Sequence, residues 1–381
     1  MDWQKLEREL ISLRHQLHRE PELSGNEVKT AHKIEAFARK YTPDQLITGL
    51  GGRGIAAIYN GKKPGPGVLI RCDMDALPIQ EINEDLEYRS TTAGLAHKCG
   101  HDGHMAIAAG LLPLLAENKP EKGRVVILFQ PAEETGQGAE KVIKDPEFDQ
   151  IKPDFCFALH NLPGFASGSI IIGKNTFASA SVGLIVKLNG RTAHAAEPEK
   201  AITPAPAIAA LIGHLPELAN PGEIRDFSLL TIIHARIGER AFGTTPGYAE
   251  LMATLRAYTN DQLEALCIKV TAVIEEVAKT NHLKTGLQWV EAFPATVNND
   301  ECNQQVISAA KSLIYPVEHL ALPFRWSEDF GHFTHNFKGA LFGLGSGTNQ
   351  PELHHPAYNF PDKIILNGTK IFHQIIKQLN G

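Results

Sequence analysis

Cysteine is scarce: five residues in a chain of 381 (Cys72, Cys99, Cys156, Cys267, Cys302). An odd, scattered set builds no disulfide framework, so a reducing, cytoplasmic setting is expected. Long apolar runs are missing too. None approaches the roughly 18–20 residues of a membrane helix, and no membrane partner is expected. The first twenty residues, MDWQKLERELISLRHQLHRE, are charged throughout and lack the apolar core of a signal peptide. Positive charge is not in excess. Lys plus Arg is 37 against 43 Asp plus Glu, a net charge of −6 with no basic block, which speaks against a nucleic-acid partner. Repeats and low-complexity segments are absent. What remains is a globular composition, 43% hydrophobic and 21% charged, enough for two cores. The unusual abundance is histidine, 17 residues. Several stand beside Cys, Asp or Glu, which makes metal chemistry the first possibility to test.

Leu6, Leu10, Leu13 and Leu17 fall on one face of a 3.6-residue period and predict an N-terminal helix ending at Pro21. A second helix is expected over 27–40. IAAIY (55–59) and VLIRC (68–72) predict strands separated by a turn, NGKKPGPG. RVVILFQ (124–130), FCFALH (155–160) and SIIIG (169–173) are apolar runs of buried-strand length. A small-residue helix is expected over 103–115, kinked or ended by Pro113. Buried strands alternating with helices predict an α/β fold with a mostly parallel sheet covered on both faces. The middle of the chain changes pattern. Strands at 181–190, 227–238, 247–258 and 287–293, with helices after the first and third, spell β-α-β-β-α-β, the ferredoxin-like split motif. The expected organisation is a catalytic domain at 1–179 and 293–381, interrupted by a smaller domain at 180–292.

Five segments carry candidate chemistry. His97-Lys98-Cys99-Gly100-His101-Asp102-Gly103-His104 brings a thiol and three imidazoles into eight positions, at a loop entering a helix. The helix dipole there is expected to lower the thiol pKa, and thiolate with imidazole suits Zn or a neighbouring transition metal. Gln130-Pro131-Ala132-Glu133-Glu134 follows a buried strand, where ligand sites gather in α/β sheets. Of two adjacent acids there, one can bind a metal and the other can take a proton from water. His160 ends another apolar strand. Glu352-Leu353-His354-His355 follows a Gly-containing loop. Asp73 and Asp75 flank one residue at the end of VLIRC, where a carboxylate can orient a metal-binding imidazole. Jointly, Cys, His, Glu, His and His exceed one tetrahedral site and suffice for two ions.

At these residues the sequence resembles the metal-dependent N-acyl-amino-acid amidohydrolases, which include hippurate hydrolases and plant indole-acetyl-amino-acid hydrolases and are related to aminoacylases and di-zinc exopeptidases. The similar segments are LHREPELSGNE (17–27), DMDALPIQE (73–81), HKCGHDGHMA (97–106), QPAEETGQGA (130–139), GRTAHAAEP (190–198), SEDF (327–330) and ELHHPAYNF (352–360). They run in the family's order across essentially the whole chain. The resemblance implies a di-zinc exopeptidase-like catalytic domain with an inserted lid and dimerisation domain. It implies two divalent ions per chain (Zn, Mn, Ni or Co) held by Cys99, His101, Glu134, His160 and His354, with Glu133 as general base and Asp75 supporting the ligands. His194 would reach the substrate from the lid, in the partner subunit of a dimer. The substrate would be a small N-acyl amino acid or dipeptide-like amide. One position departs: where the family usually reads G-T-A-x-N-V-I-P, residues 239–246 read ERAFGTTP, with Gly243 at the Asn position. This puts a different backbone path and a changed pocket in view. Three other readings remain: an aminopeptidase or dipeptidase, a hydrolase with Cys99 as nucleophile and His101 as its base, and a non-catalytic binding protein.

Overall fold

The computed structural model describes residues 1–222 and 226–381. They form two compact units, one of Met1–Phe177, Thr296–Ala321 and Glu328–Gly381, the other of Ala178–Ala295 and Leu322–Ser327. The short segment Leu322–Ser327, expected with the C-terminal part of the catalytic domain, groups instead with the smaller unit. The Ser179 N–H donates to the Phe324 and Trp326 carbonyls at 3.1 and 3.0 Å.

In the larger unit the first helix runs Trp3–Arg19, its N-terminus capped by the Asp2 carboxylate and its leucine face buried. It stops two residues short of Pro21. An eight-stranded sheet follows the order Gln45–Leu50, Gly54–Asn60, Lys122–Gln130, Lys63–Asp73, Phe155–Pro163, Lys338–Gly347, Ile170–Ile172, Val317–His319. The four strands from Lys122–Gln130 to Lys338–Gly347 are mutually parallel. Antiparallel pairs flank them on either side. Alternate residues point to opposite faces. Val68, Ile70, Val125, Ile127 and Phe157 join the core that contains the first helix, while Leu69, Val126, Leu128 and Cys156 are buried as well. Both faces are therefore covered.

Two local expectations are corrected. The NGKKPGPG turn is partly strand: Lys63 already pairs with Lys122, and an irregularity before Gly67 takes up the prolines. The helix expected at 103–115 is two helices, His101–Ala109 and Leu111–Glu117. The break falls at Gly110, not at Pro113. Pro113 sits in the first turn of the second helix, where its missing N–H has no intrahelical partner to lose.

In the smaller unit the order is Ala180–Asn189, Ala205–His214, Ser228–Ile237, Tyr248–Ala257, Asn260–Thr280 and Lys284–Phe293, strand-helix-strand-strand-helix-strand. The four strands are antiparallel, ordered fourth-first-third-second. One face packs Val182, Leu184, Val186, Leu251 and Leu255 against Ile208, Leu211, Leu266, Val270 and Ile274 of the two helices. This is the ferredoxin-like arrangement. Among the described residues no helix is long and apolar enough to cross a membrane.

Candidate metal centre

The site lies where neighbouring parallel strands of the larger unit end. Asp73 closes Lys63–Asp73, Gln130 closes Lys122–Gln130, and the two are register partners. His160 lies near the end of Phe155–Pro163. Cys99 precedes the helix that opens at His101, and Gly100 between them has φ 96°, a left-handed turn open to glycine. A Cβ on Gly100 would also meet the Asn161 amide at 2.6 Å.

These termini bring the sequence-predicted ligands together. Cys99, His101 and His160 form one trio of donor atoms, and Cys99, Glu134 and His354 a second that shares the thiol; within each trio the atoms lie within 4.8 Å of one another. The Cys99 Sγ is 3.4 Å from His160 Nε2, and His354 Nε2 is 3.6 Å from Glu134 Oε1. His101 Nδ1 donates to the Asp75 backbone carbonyl at 2.8 Å, which leaves Nε2 as the ring atom open to a cation. That Nε2 is buried without a hydrogen-bond partner, and so is Glu134 Oε1, 3.8 Å away. A buried imidazole nitrogen and a buried carboxylate oxygen that face each other without a hydrogen bond mark a place for positive charge, a proton on the ring or a metal ion in its stead. The donor set, one thiol with imidazoles and carboxylates, fits divalent transition ions, and two overlapping trios fit a dinuclear centre.

Electrostatics agree. Burial first, then Glu134 and Glu133, push the Cys99 thiol well above its ordinary range. The lowering expected from the helix N-terminus is overridden, because the thiol faces acids. A protonated thiol is a poor nucleophile, and the place of Cys99 in both ligand trios suits a metal ligand better than a nucleophile. His101 is raised to about 10: burial opposes the proton, but Asp73, Asp75 and Glu134 outweigh it. Burial, followed by Glu328 and Glu134, raises Glu133 well above the usual carboxylate range.

The profile of peptidase family M20/M25/M40 matches residues 69–378. The chain belongs to this family. It is 31% identical to an N-acetyl-L-cysteine deacetylase of Bacillus subtilis, over 98% of this chain and 89% of that protein. It is 29% identical to a hippurate hydrolase of Campylobacter jejuni, over 97% and 96%. A solved structure described as a dinuclear metal-binding M20 peptidase of Bacillus subtilis superposes with a TM-score of 0.83 at 26% identity, covering 99% of this chain and 98% of that one. As an M20 protein the chain is a metal-dependent hydrolase, and its site carries a dinuclear donor set.

Not every motif residue does what its type suggested. The Asp75 carboxylate, with Oδ1 3.5 Å from His101 Nδ1, does more than face an imidazole. It accepts the Glu133 and Glu134 N–H groups at 3.1 and 3.0 Å and the Ser24 hydroxyl at 2.6 Å. His104 is turned to Asp73, 2.7 Å from Nδ1, and takes the Asn161 N–H on Nε2 at 3.2 Å. His97 is buried with neither ring nitrogen hydrogen-bonded. Sequence reasoning missed Arg71, which is wholly buried and binds Asp73, Glu328 and Asp329 at 2.9, 3.0 and 2.6 Å. Its signal was present as one cation inside the apolar run VLIRC. Asp329 in turn donates its N–H to Glu133 Oε1 at 3.3 Å.

In the smaller unit, His194 is exposed. Its Nδ1 accepts the Ala196 N–H at 3.1 Å, so Nε2–H is an outward donor. The loop is pinned to the departing segment: Ala195 N–H donates to the Gly243 carbonyl and Thr245 N–H to the Ala193 carbonyl. Gly243 has no left-handed φ, and a Cβ there would meet nothing within 4 Å. The different backbone path that glycine would permit is not used here.

Proposed function

We propose that this M20 hydrolase cleaves the amide of N-acyl amino acids, releasing a carboxylic acid and a free amino acid. The carrying observation is the different placement of the two adjacent acids. Glu134 Oε1 faces the His101 and His354 imidazoles. Glu133 is anchored through Oε1 by the Asp329 N–H, and its Oε2 stands 3.9 Å from His101 Nε2, while Glu134 and not Glu133 joins Cys99 and His354 in a ligand trio. Cys99, His101, Glu134, His160 and His354 would hold two divalent ions, which when bound supply Lewis acidity toward the amide carbonyl and make water more acidic. Glu133 Oε2 accepts a proton as the hydroxyl of water joins the carbonyl carbon, and returns it to the nitrogen as the C–N bond breaks. Asp75 fixes the backbone of both acids. His194, from the smaller unit, donates to the developing oxyanion, in the site of a partner subunit in a homodimer. The deacetylase and the hippurate hydrolase among the relatives support this substrate class, and five free cysteines accord with a reducing cytoplasm.

Glu133→Gln keeps the shape and cannot accept the proton. It is expected to retain metal and lose roughly 10²–10⁴-fold in kcat. Glu134→Gln is expected to lose metal. Elemental analysis with kinetics on N-acetyl and N-benzoyl amino acids and on free dipeptides tests both parts. Exchanged phenotypes would reverse the two acids, and preference for free dipeptides would make the protein a dipeptidase.

A further inference from the structure

Three consecutive backbone amides lead into the acid pair, and each ends on a buried carboxylate. The Ala132 N–H donates to Glu27 Oε1 at 2.8 Å, the Glu133 N–H to Asp75 Oδ1 at 3.1 Å and the Glu134 N–H to Asp75 Oδ2 at 3.0 Å. Glu27 is fully buried and 105 residues distant in sequence from Ala132. The same Oε1 takes the Gly25 N–H at 2.9 Å, so one oxygen ties the loop before the second helix to the loop of the acids.

The tie falls on a strained residue. Ala132 has φ 54°, a left-handed conformation that L-residues seldom adopt. On the other side of the turn the Ala132 carbonyl accepts the Gly138 N–H at 3.0 Å. Gly138 lies so close to the Pro131 carbonyl that a Cβ would stand 1.7 Å from it. Release of the Ala132 N–H would let φ relax to negative values and swing the peptide that sets the direction of residues 133 and 134. Glu27 Oε2, meanwhile, is buried without a hydrogen-bond partner. The position therefore uses one acceptor oxygen at glutamate length and, among the described residues, makes no ion pair.

We propose that Glu27 is a positioning residue, whose Oε1 holds the left-handed Ala132 peptide and thereby aims Glu133 and Glu134. This rests on the reading of Glu133 as proton acceptor. Glutamine at position 27 keeps the acceptor and the length but drops the charge; aspartate keeps the charge but falls a methylene short; methionine keeps the length without an acceptor.

The test is steady-state kinetics of the full chain in excess MnCl2, on the N-acyl amino acid that the wild type cleaves fastest. Glu27→Gln is expected to stay within roughly threefold of wild-type kcat, and Glu27→Asp and Glu27→Met to lose roughly tenfold or more with KM little changed. Adding Ala132→Gly to Glu27→Asp is expected to restore roughly threefold or more, because glycine adopts the left-handed turn unaided. Wild-type kcat in the Asp and Met variants would overturn the proposal. So would equal loss in the Gln variant, which would point to charge, or no restoration by Ala132→Gly. If Glu27→Asp does not fold, Glu27→Met with and without Ala132→Gly carries the same comparison. An active Glu133→Gln enzyme would instead bring down the underlying base assignment, and that result does not depend on position 27.

Discussion

Among single residues, the most consequential are charges buried beneath the metal centre. Arg14 and His18 lie on the leucine face of the first helix, at 0% exposure. His18 Nδ1 is 2.8 Å from Asp102 and Nε2 is 3.0 Å from Glu81. Glu81 also accepts from Lys98 Nζ at 2.6 Å and from the Ser90 N–H at 2.7 Å. Burial alone would raise the Glu81 carboxyl, but His18 and Lys98 outweigh it and lower it to about 2. A carboxylate lowered by folding contributes its full stability above its ordinary value of 4.5 and loses it as pH falls toward 2. Glu81→Gln is therefore expected to destabilise the protein by roughly 3 kcal/mol at pH 6.5, with the difference shrinking steadily below pH 4.5. Urea unfolding of both proteins across that range measures it. A penalty independent of pH would show that Glu81 acts through packing and not through charge. The leucine periodicity made this helix legible in the sequence. The polar residues sharing its face were not, because their hydrogen-bond partners lie at least 63 residues away and, for Arg14, as far as 345.

The elements that carry the ligands were legible where one motif held both a ligand and its local scaffold, as in CGHDGH and QPAEE. They were not legible where the scaffold is remote: Arg71 meets Asp329 across 258 residues. The helix His101–Ala109 shows how tightly such an element is seated. All nine of its residues are buried, and a Cβ on Gly103 would stand 2.3 Å from the Phe360 ring. The glycine inside HDGH is there for close packing between helix and ring, not for a turn. Gly103→Ala is expected to destabilise by roughly 1–3 kcal/mol through overpacking and, by shifting the helix that carries His101, to weaken metal binding. Phe360→Ala in the same chain removes every atom that the methyl would meet, Cγ at 2.4 Å included, and the double variant is expected to lose clearly less than the sum of the two single losses. Denaturation midpoints and metal titration of the single and double variants check this, and additive losses would mean that the ring is not the obstacle.

For the whole molecule, the question is why a hydrolase whose donor set lies entirely in one unit carries a second. Among the described residues, the ferredoxin-like unit contributes none to the clusters that could hold a metal. What it offers is His194, exposed, with its Nδ1 occupied by the Ala196 N–H and its Nε2–H turned outward. A donor fixed in that way suits an oxyanion better than a metal, whose binding would need a bare nitrogen. His194→Ala is accordingly expected to keep its metal and lose roughly 10²-fold in kcat. If the donor acts across a two-fold dimer, inactive His194→Ala and inactive Glu133→Gln chains should complement each other. In a mixed dimer, one site combines an intact Glu133 with the other chain's intact His194, while the second site lacks both. Random pairing of equal amounts makes half the dimers mixed and so restores roughly a quarter of wild-type sites. Recovery near that fraction after verified subunit exchange supports donation in trans. An inactive mixture would confine His194 to its own chain's site, and undiminished kcat in His194→Ala would remove it from the reaction.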